Sequence, residues 1–325
     1  MLPPLQFVPF LRPMVWGGRR LATKLGKQLP DDQLYGESWE ISDHPLHRSV
    51  VADGPLAGTT LRQLMETRRE ELLGPATKFS TFPILVKFLD CSDWLSVQVH
   101  PDEEAVKKLW PGEGSKTEAW FVIDAEPGSR MYAGLKPGVG QREMRAALHA
   151  GTVAECLHSF EPKPGDFVFL PAGTVHAVGG GVLMAEVQQT SDATFRLFDW
   201  NRLDAQGNAR QLHIEEALAC IDWNQGPAVP LHVSGFPNDA TSQVKPLVSC
   251  PPFTLEFVRG TTRICRNFAG RPTLIVVLHG EAILEDTATG ERLARGQTWL
   301  LPASMGKVDI HPHESVSLLF CHCTD

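Results

Sequence analysis

Short segments in which apolar and polar residues alternate recur along the chain, and this alternation predicts β-strands. In the first two thirds of the chain the predicted strands are 36–42, 83–89, 95–100, 118–123, 167–170 and 182–189. In the last third they are 253–258, 272–278, 281–284, 298–301 and 316–321. The 28 Gly and 25 Pro residues are spread along the chain rather than clustered, as expected for many turns. The pattern predicts a mostly β protein built from barrels or sandwiches of short strands.

Helical periodicity is confined to a few short segments. Thr59 or Thr60 can cap a helix that runs to residue 73, in which leucines recur at helical intervals. The other predicted helices are 21–25, 104–109, 141–148, 152–157 and 214–220. The segment 141–157 is therefore expected to be a small helical insertion between strands.

One pattern of residues occurs twice. Residues 165–176 read Gly-Asp-Phe-Val-Phe-Leu-Pro-Ala-Gly-Thr-Val-His, and 296–307 repeat the spacing of Gly, five residues, then Pro-Ala. The second copy has Lys307 where the first has His176, and a Lys ammonium is not an ordinary metal ligand. We therefore expect two similar barrels, a metal-binding domain over 1–235 and a degenerate domain without a metal site over 236–325.

The first copy of the pattern has candidate metal ligands upstream. Gln98 and His100 lie on one face of the predicted strand 95–100, and Glu118 begins another strand. Imidazole and carboxylate groups are ligands that Zn²⁺ accepts, and three or four protein ligands with one open position indicate a catalytic site. The same groups also bind Fe²⁺ and Mn²⁺, so these metals stay open at this point.

The composition argues against several classes of function. A net charge of -8 and a pI near 5.8 argue against nucleic-acid or anionic-membrane partners. The chain shows neither a signal-peptide pattern nor a run of about 18 apolar residues. Its seven scattered cysteines contain no CxxC pair, which predicts a reducing cytoplasmic location. His311-Pro312-His313 and Cys321-His322-Cys323 lack a fourth ligand, so we interpret them as tail and strand-end residues.

Taken together, these motifs resemble the cupin superfamily and, more narrowly, the short form of the type I mannose-6-phosphate isomerases. The matching stretches are Trp16-Gly17-Gly18, Gly36-Glu37-Ser38-Trp39-Glu40, Gln98-Val99-His100-Pro101, Lys116-Thr117-Glu118, Gly173-Thr174-Val175-His176 and 186–200. They keep their order over nearly the whole chain. The resemblance implies two cupin-type (jelly-roll) β-barrels. It also implies one zinc ion per chain, held by the four ligands Gln98, His100, Glu118 and His176.

The resemblance also implies catalytic residues. The essential arginine of the family corresponds to Arg196, and the acidic residue four positions before it corresponds to Asp192. Lys116 and Glu186 lie in matching stretches and are the other catalytic candidates. Longer members carry a helical domain where this chain has only the insertion 141–157, so functions tied to that domain are not expected here.

The implied reaction interconverts mannose 6-phosphate and fructose 6-phosphate by proton transfer through an enediol(ate). Lys87 and Lys116 are isolated charges among apolar or small residues, where a lysine either has a lowered pKa and moves protons or binds phosphate. Ser96 and Arg196 are further candidates for binding the phosphate. The sequence does not identify the base.

Two alternatives to the isomerase remain open from the sequence. One is an iron or manganese oxygenase of the cupin class, and the other is a non-catalytic sugar-binding cupin. The oxygenase gives no role to Lys87, Lys116 and Arg196 together, and the binding protein does not require an open metal position. We expect a small phosphosugar as the partner and a monomer or homodimer as the assembly.

Overall fold

The computed structural model of the chain describes residues 1–203, 207–233, 243–268, 270–285 and 290–324. Its strands up to residue 233 are β1 Leu5–Gln6, β2 Phe10–Gly18, β3 Tyr35–Ile41, β4 Asp43–His44, β5 His47–Arg48, β6 Ile84–Cys91, β7 Val97–Val99, β8 Glu118–Ala125, β9 Met131–Leu135, β10 Leu157–Phe160, β11 Asp166–Leu170, β12 His176–Val178, β13 Val182–Gln189, β14 Phe195–Phe198 and β15 Leu231–His232. The later strands are β16 Gln243–Ser249, β17 Phe253–Gly260, β18 Ile264–Asn267, β19 Thr273–Glu285, β20 Glu291–Ala294, β21 Thr298–Leu301 and β22 Lys307–Cys323.

The helices are few and short, as expected. They are α1 Arg20–Leu25, α2 Leu61–Thr67, α3 Arg69–Leu73, α4 Glu103–Leu109, α5 Gln141–Ala150 and α6 Ile214–Cys220, with 3-10 turns at Gly54–Leu56 and Val153–Cys156. The predicted mostly β fold class is confirmed. No helix in the described part of the chain is long and apolar enough to cross a membrane.

The two large sheets share one strand order. The first contains β11-β8-β13-β6-β3, extended by β15 and β2 at its edges. The second contains β21-β19-β22-β17-β16, extended by β1 beside β21. Taken along the chain, β3, β6, β8, β11 and β13 of the first sheet correspond to β16, β17, β19, β21 and β22 of the second. The two copies of the Gly-x5-Pro-Ala pattern lie on β11 and β21, so they mark a repeat of the whole sheet.

A smaller, five-stranded sheet closes the first barrel. Its order is β10-β9-β12-β7-β14. Trp120 and Val122 of β8 share one buried cluster with Met131 and Ala133 of β9, so apolar side chains from both sheets fill the barrel interior. This is the usual arrangement when the inward residues of two sheets face each other.

The two barrels also share a core. A single buried cluster contains Phe121 from β8 of the first sheet and Phe257 from β17 of the second. These two rings stack with their centroids 5.5 Å apart. Strand β1 adds to the second sheet although it precedes the first barrel in the chain, with Leu5 opposite Leu300. The boundary expected at 235/236 falls outside the described residues, and the division into two domains stays a prediction.

The structure corrects several element boundaries. The helix predicted over 60–73 is capped by Thr60, as expected, but it breaks at Arg68, whose φ of -137° is not helical. The strands predicted at 272–278 and 281–284 are one strand, β19, because β-bulges around Gly280 bend it without ending it. The second half of the insertion, predicted as helix over 152–157, is a 3-10 turn over Val153–Cys156.

Strand β9 requires a glycine where it passes the loop before β15. Gly134 has a φ of +76°, and a Cβ there would lie 2.3 Å from the carbonyl oxygen of Gly226. We expect Gly134→Ala to lower the free energy of unfolding by about 2–5 kcal/mol, the sum of a left-handed backbone and an overpacked contact. Denaturant unfolding measures this loss.

Gly138→Ala is the matched control for this substitution. Gly138 has a similar φ of +83°, but no atom lies within 4 Å of the position of its Cβ. Gly138→Ala should therefore lower the free energy of unfolding only by the backbone contribution, about 1–2 kcal/mol. Equal losses for the two variants would contradict the close approach of β9 to Gly226.

Candidate active site

Three of the predicted metal ligands meet inside the first barrel, and all three side chains are buried. Glu118 begins β8, His176 begins β12, and His100 directly follows β7. One ligand atom from each lies within 4.8 Å of the other two. Nε2 of His100 is 3.3 Å from Oε2 of Glu118, and Nε2 of His176 is 3.4 Å from Oε1.

The turn between β11 and β12 holds two of these ligands in register. The N–H of Gly173 donates to the carbonyl oxygen of His100 at 2.9 Å. Gly173 has a φ of +87°, a conformation that residues with a side chain rarely adopt. His176 then pairs with Gln98 across β12 and β7. The glycine of the motif thus ties the end of β7 to the start of β12.

Backbone carbonyls fix the protonation of both imidazoles. Nδ1 of His100 lies 2.8 Å from the carbonyl oxygen of Ala193, and Nδ1 of His176 lies 2.9 Å from that of Thr174. Because a carbonyl only accepts, each Nδ1 carries the proton and each Nε2 presents a lone pair towards Glu118. Burial, with the charge of Lys116 next, lowers the pKa of His100 to about 4, and burial lowers the pKa of His176. Both rings are therefore neutral at neutral pH.

Three polar atoms in this group have no hydrogen-bond partner within the described residues. They are Nε2 of His100 and both carboxylate oxygens of Glu118, all buried, although Oε2 forms an ion pair with Lys116. The amide of Gln98 completes the set, with its Nε2 3.2 Å from Nε2 of His176. A half-turn of the amide places its oxygen at that position. These nitrogen and oxygen donors fit a divalent cation such as Zn²⁺.

A polar pocket of about 260 Å³ opens beside the metal group, which is the set Gln98, His100, Glu118 and His176. The remaining residues singled out from the sequence line it, namely Lys87, Ser96, Lys116, Glu186, Asp192 and Arg196. The structure therefore brings all ten candidate residues to one end of the first barrel. They come from strands β6, β7, β8, β12, β13 and β14 and from the loops that join β6 to β7, follow β7, precede β8 and join β13 to β14.

Lys87 and Lys116 both line this pocket but pair with different carboxylates. Nζ of Lys116 is 3.1 Å from Oε2 of Glu118. Nζ of Lys87 is 3.3 Å from Oε1 of Glu186 and over the ring of Trp39. Burial lowers the pKa of Lys87, but the neighbouring carboxylates, Glu186 first among them, outweigh burial and raise the pKa. The lowered pKa considered for both lysines is therefore wrong for Lys87.

Two carboxyl groups in the pocket have pKa values shifted in opposite directions. Burial, followed by the charge of Glu118, raises the pKa of Glu186, whose Oε2 accepts a hydrogen bond from Nε1 of Trp120 at 3.0 Å. Burial also acts on Asp192, but Lys87 and the other nearby cations outweigh it and lower its pKa. Of the two groups, Glu186 is therefore the one that takes up a proton more readily.

The arginines of the pocket differ in their partners. Nη1 of Arg196 donates to the carbonyl oxygen of Gln211 at 2.7 Å, while its buried Nε has no hydrogen-bond partner within the described residues. Arg12 lies 3.1 Å from Glu37 and 3.5 Å from Asp192. Arg210 also lines the pocket, and no sequence pattern selects it. Arg12 is an isolated charge in an apolar segment, and this is the same pattern that selected Lys87 as a candidate.

Glu113, which was not predicted from the sequence, holds the loop that carries Asp192. Oε2 of Glu113 accepts the backbone N–H of Asp192 at 3.4 Å and lies 3.1 Å from Oγ of Ser191. Its Oε1 lies 3.1 Å from Nε2 of His44. The next residue of this loop, Ala193, supplies the carbonyl that orients His100. Glu113 therefore supports both the pocket and the metal group.

Comparison with known proteins gives consistent matches. Residues 5–120 match the family model described as phosphomannose isomerase type I, catalytic domain. A mannose-6-phosphate isomerase of Streptococcus mutans is 36% identical over 303 residues, 93% of each chain. One of Bacillus subtilis is 33% identical over 308 residues, 94% of each. A crystal structure of the mannose 6-phosphate isomerase from Bacillus subtilis superposes with a TM-score of 0.86 at 30% identity, over 99% of this chain and 100% of that one.

The loop contact of Glu113 can be tested without an activity assay. Glu113→Ala removes the acceptor of the Asp192 N–H, a contact of about 1 kcal/mol, so hydrogen exchange over 190–194 should quicken about five- to tenfold. Mass spectrometry of the exchanging peptide measures this rate. Glu103→Ala, an exposed change in the first turn of α4, should leave it unaltered. Unchanged exchange in Glu113→Ala would contradict the anchoring role.

Proposed function

The chain belongs to the type I phosphomannose isomerase family, and we propose that its metal group holds one zinc ion for the interconversion of mannose 6-phosphate and fructose 6-phosphate. The predicted family and the cupin-type fold are confirmed. The enzyme is thus an aldose–ketose isomerase. The observation that carries the zinc proposal is the set of four converging donors with partnerless buried atoms beside a charged pocket.

The reaction moves a proton between C1 and C2 of the open-chain sugar while negative charge develops on an oxygen. Bound zinc supplies Lewis-acid stabilisation of that charge, worth several kcal/mol in the transition state. The protein supplies neutral imidazoles through the carbonyls of Ala193 and Thr174, so the ligands need no deprotonation near neutral pH. Because the metal group is buried, bulk water is kept from competing with the sugar at the metal site.

We assign the proton transfer to Lys116 and Glu186. Lys116 stands beside the metal group, 3.1 Å from Glu118, and lines the pocket that would receive the sugar. Glu186 lines the same pocket, has a raised pKa and can take up a proton between the two steps. Asp192 stays ionised and, with Glu186, keeps Lys87 protonated.

The phosphate is assigned to the cationic side of the pocket. Arg196 takes part in no ion pair among the described residues, so its charge is available to a dianion, and Lys87 adds a second cation that is held in its charged form beside Glu186. Ser96, whose Oγ lies 3.3 Å from Oε1 of Gln98, can turn its hydroxyl to the phosphate. A guanidinium can bind phosphate or a developing oxyanion, and kinetics separate these two roles of Arg196.

The alternative functions receive less support. An iron or manganese oxygenase gives no role to Lys87, Lys116 and Arg196 together around one pocket, and a non-catalytic sugar-binding protein does not require an open metal position. The substrate class implied by the family is a sugar phosphate. A monomer or homodimer, the lack of nucleic-acid and membrane partners, and a cytoplasmic location remain predictions.

Removing a ligand should remove metal and activity together. We expect His176→Ala and Glu118→Ala to retain less than about a tenth of the zinc and to lose about a thousandfold or more in kcat/KM. Metal analysis and a coupled assay of fructose 6-phosphate formation measure the two quantities. His313→Ala, an exposed histidine, is the control and should match the wild type in both. A ligand variant with normal turnover and no zinc would end the zinc proposal.

Arg196 should affect rate without affecting metal. Arg196→Ala should keep one zinc per chain and lower kcat/KM about a hundred- to a thousandfold, because a preorganised charge is removed. A loss in kcat assigns Arg196 to the oxyanion, and a rise in KM assigns it to the phosphate. Arg142→Ala, on the exposed face of α5, is the control. Wild-type kcat/KM in Arg196→Ala removes this residue from the mechanism.

A further inference from the structure

The second barrel has an open cleft at the end that corresponds to the metal end of the first barrel. In the first sheet Leu170 of β11 pairs with Glu118, which pairs with Gln188 of β13. In the second sheet Leu301 of β21 pairs with Thr273, which pairs with His322 of β22. Because Leu170 and Leu301 occupy the same place in the repeated pattern, Thr273 and His322 occupy the positions of Glu118 and Gln188.

The next residues along the strands extend this correspondence. Glu186 pairs with Lys87 on β6, and Phe320 pairs with Glu256 on β17. Glu256 therefore takes the position of the lysine that lines the active-site pocket. Three of these four positions are polar in both sheets, and the fourth, that of Glu186, holds Phe320 in the second sheet. The described residues of the second barrel contain no metal group, but polar side chains remain at this end of its sheet.

A cavity of about 670 Å³ occupies this end of the second barrel. Its polar lining includes Ser249, Thr254, Glu256, Arg266, Arg271 and His322. The volume lies in the range of small-molecule sites, roughly 300–1,000 Å³. Phe268 also lines it, with its ring centroid 5.6 Å from that of His322, so an apolar face stands beside the charged groups.

The charges of the cleft favour an anion. Arg266 lies over the ring of Phe320 at 5.6 Å, and its Nε and Nη2 make no hydrogen bond within the described residues. Among the described residues, neither Arg266 nor Arg271 takes part in an ion pair, and neither does Glu256. Burial lowers the pKa of His322, whose Nδ1 is 2.9 Å from Oγ1 of Thr273, so its ring is neutral. Two guanidiniums against one carboxylate leave one positive charge in a chain whose net charge is -8.

We propose that this cleft binds a phosphate monoester of a small sugar, at a site separate from the isomerase pocket. Arg266 and Arg271 receive the phosphate, because guanidinium groups match its oxygens in bidentate geometry. Glu256 and the hydroxyls of the cleft receive sugar hydroxyls, and Phe268 contacts the C–H face of the ring. The proposal depends on the second barrel alone and does not require the zinc mechanism.

Equilibrium dialysis of the zinc-loaded enzyme with ¹⁴C-labelled fructose 6-phosphate counts the sites directly. Conversion to mannose 6-phosphate keeps the label, so turnover does not disturb the count. We expect two labelled molecules per chain in the wild type and one in the Arg266→Gln/Arg271→Gln variant. An equal number of labelled molecules per chain in the wild type and the double variant overturns the proposal, whatever the occupancy of the isomerase pocket.

Matched variants keep this test independent of folding and of the isomerase. Arg263→Gln alters a nearby exposed arginine that pairs with Asp309 outside the cleft, and it should retain two sites. Arg271→Gln alone changes an exposed side chain and should weaken the second site about tenfold or more. In both single variants the melting temperature without ligand and kcat at saturating substrate should stay at wild-type values. Folding and isomerase activity are thereby measured separately from binding at the second site.

Competition identifies the group that is recognised. Inorganic phosphate that displaces the second labelled molecule at a concentration similar to that of unlabelled fructose 6-phosphate assigns recognition to the phosphate alone. Displacement only by sugar phosphates assigns it to both halves of the ligand. Chloride at equal ionic strength should displace neither molecule. Equal displacement by chloride would show non-specific anion binding and would contradict the assigned site.

Discussion

A carboxylate buried between two neutral imidazoles is the interaction on which the rest of this structure depends. Glu118 faces the Nε2 lone pairs of His100 and His176, and Nζ of Lys116 lies 3.1 Å from its Oε2. Burial raises the pKa of Glu118, yet the charge of Lys116 and the other contacts hold it well below its usual range. An ionised carboxylate facing two lone pairs away from water is stabilised by a cation placed between them. The barrel therefore presents a site whose electrostatics favour a bound metal ion.

The backbone around this site serves the same requirement. The carbonyls of Ala193 and Thr174 take the Nδ1 protons, and Gly173 ties the end of β7 to the turn before β12. Glu113 holds the loop that supplies the first of these carbonyls. The catalytic candidates then lie where strands β6, β8 and β13 pass the metal group. The second barrel keeps the same strand order, but its described residues contain no metal group. The strand order of a sheet and the side chains at its end can therefore change independently of each other.

The fold and the convergence of the candidate metal ligands were largely predictable, because both depend on local patterns. The alternation over 182–189 predicted the bounds of β13, and the motif from Gly165 to His176, with the upstream His100, predicted the imidazoles that lie beside Glu118. The roles of Arg12 and Glu113 were not predictable, because their partners Glu37, Asp192 and Ser191 are distant in the sequence. Nor was the raised pKa of Lys87, which depends on four carboxylates that only the folded barrel brings together. The continuity of β19 through its bulges is likewise set by its pairing with β22.

Titration of metal-free protein with zinc tests the central claim most directly. Fructose 6-phosphate formation is followed as zinc is added to a stripped and refilled sample of known concentration. The account predicts negligible activity without metal, a linear rise, and a sharp break at one zinc per chain. Full activity in the metal-free protein, or activity that does not depend on the zinc added, would contradict it.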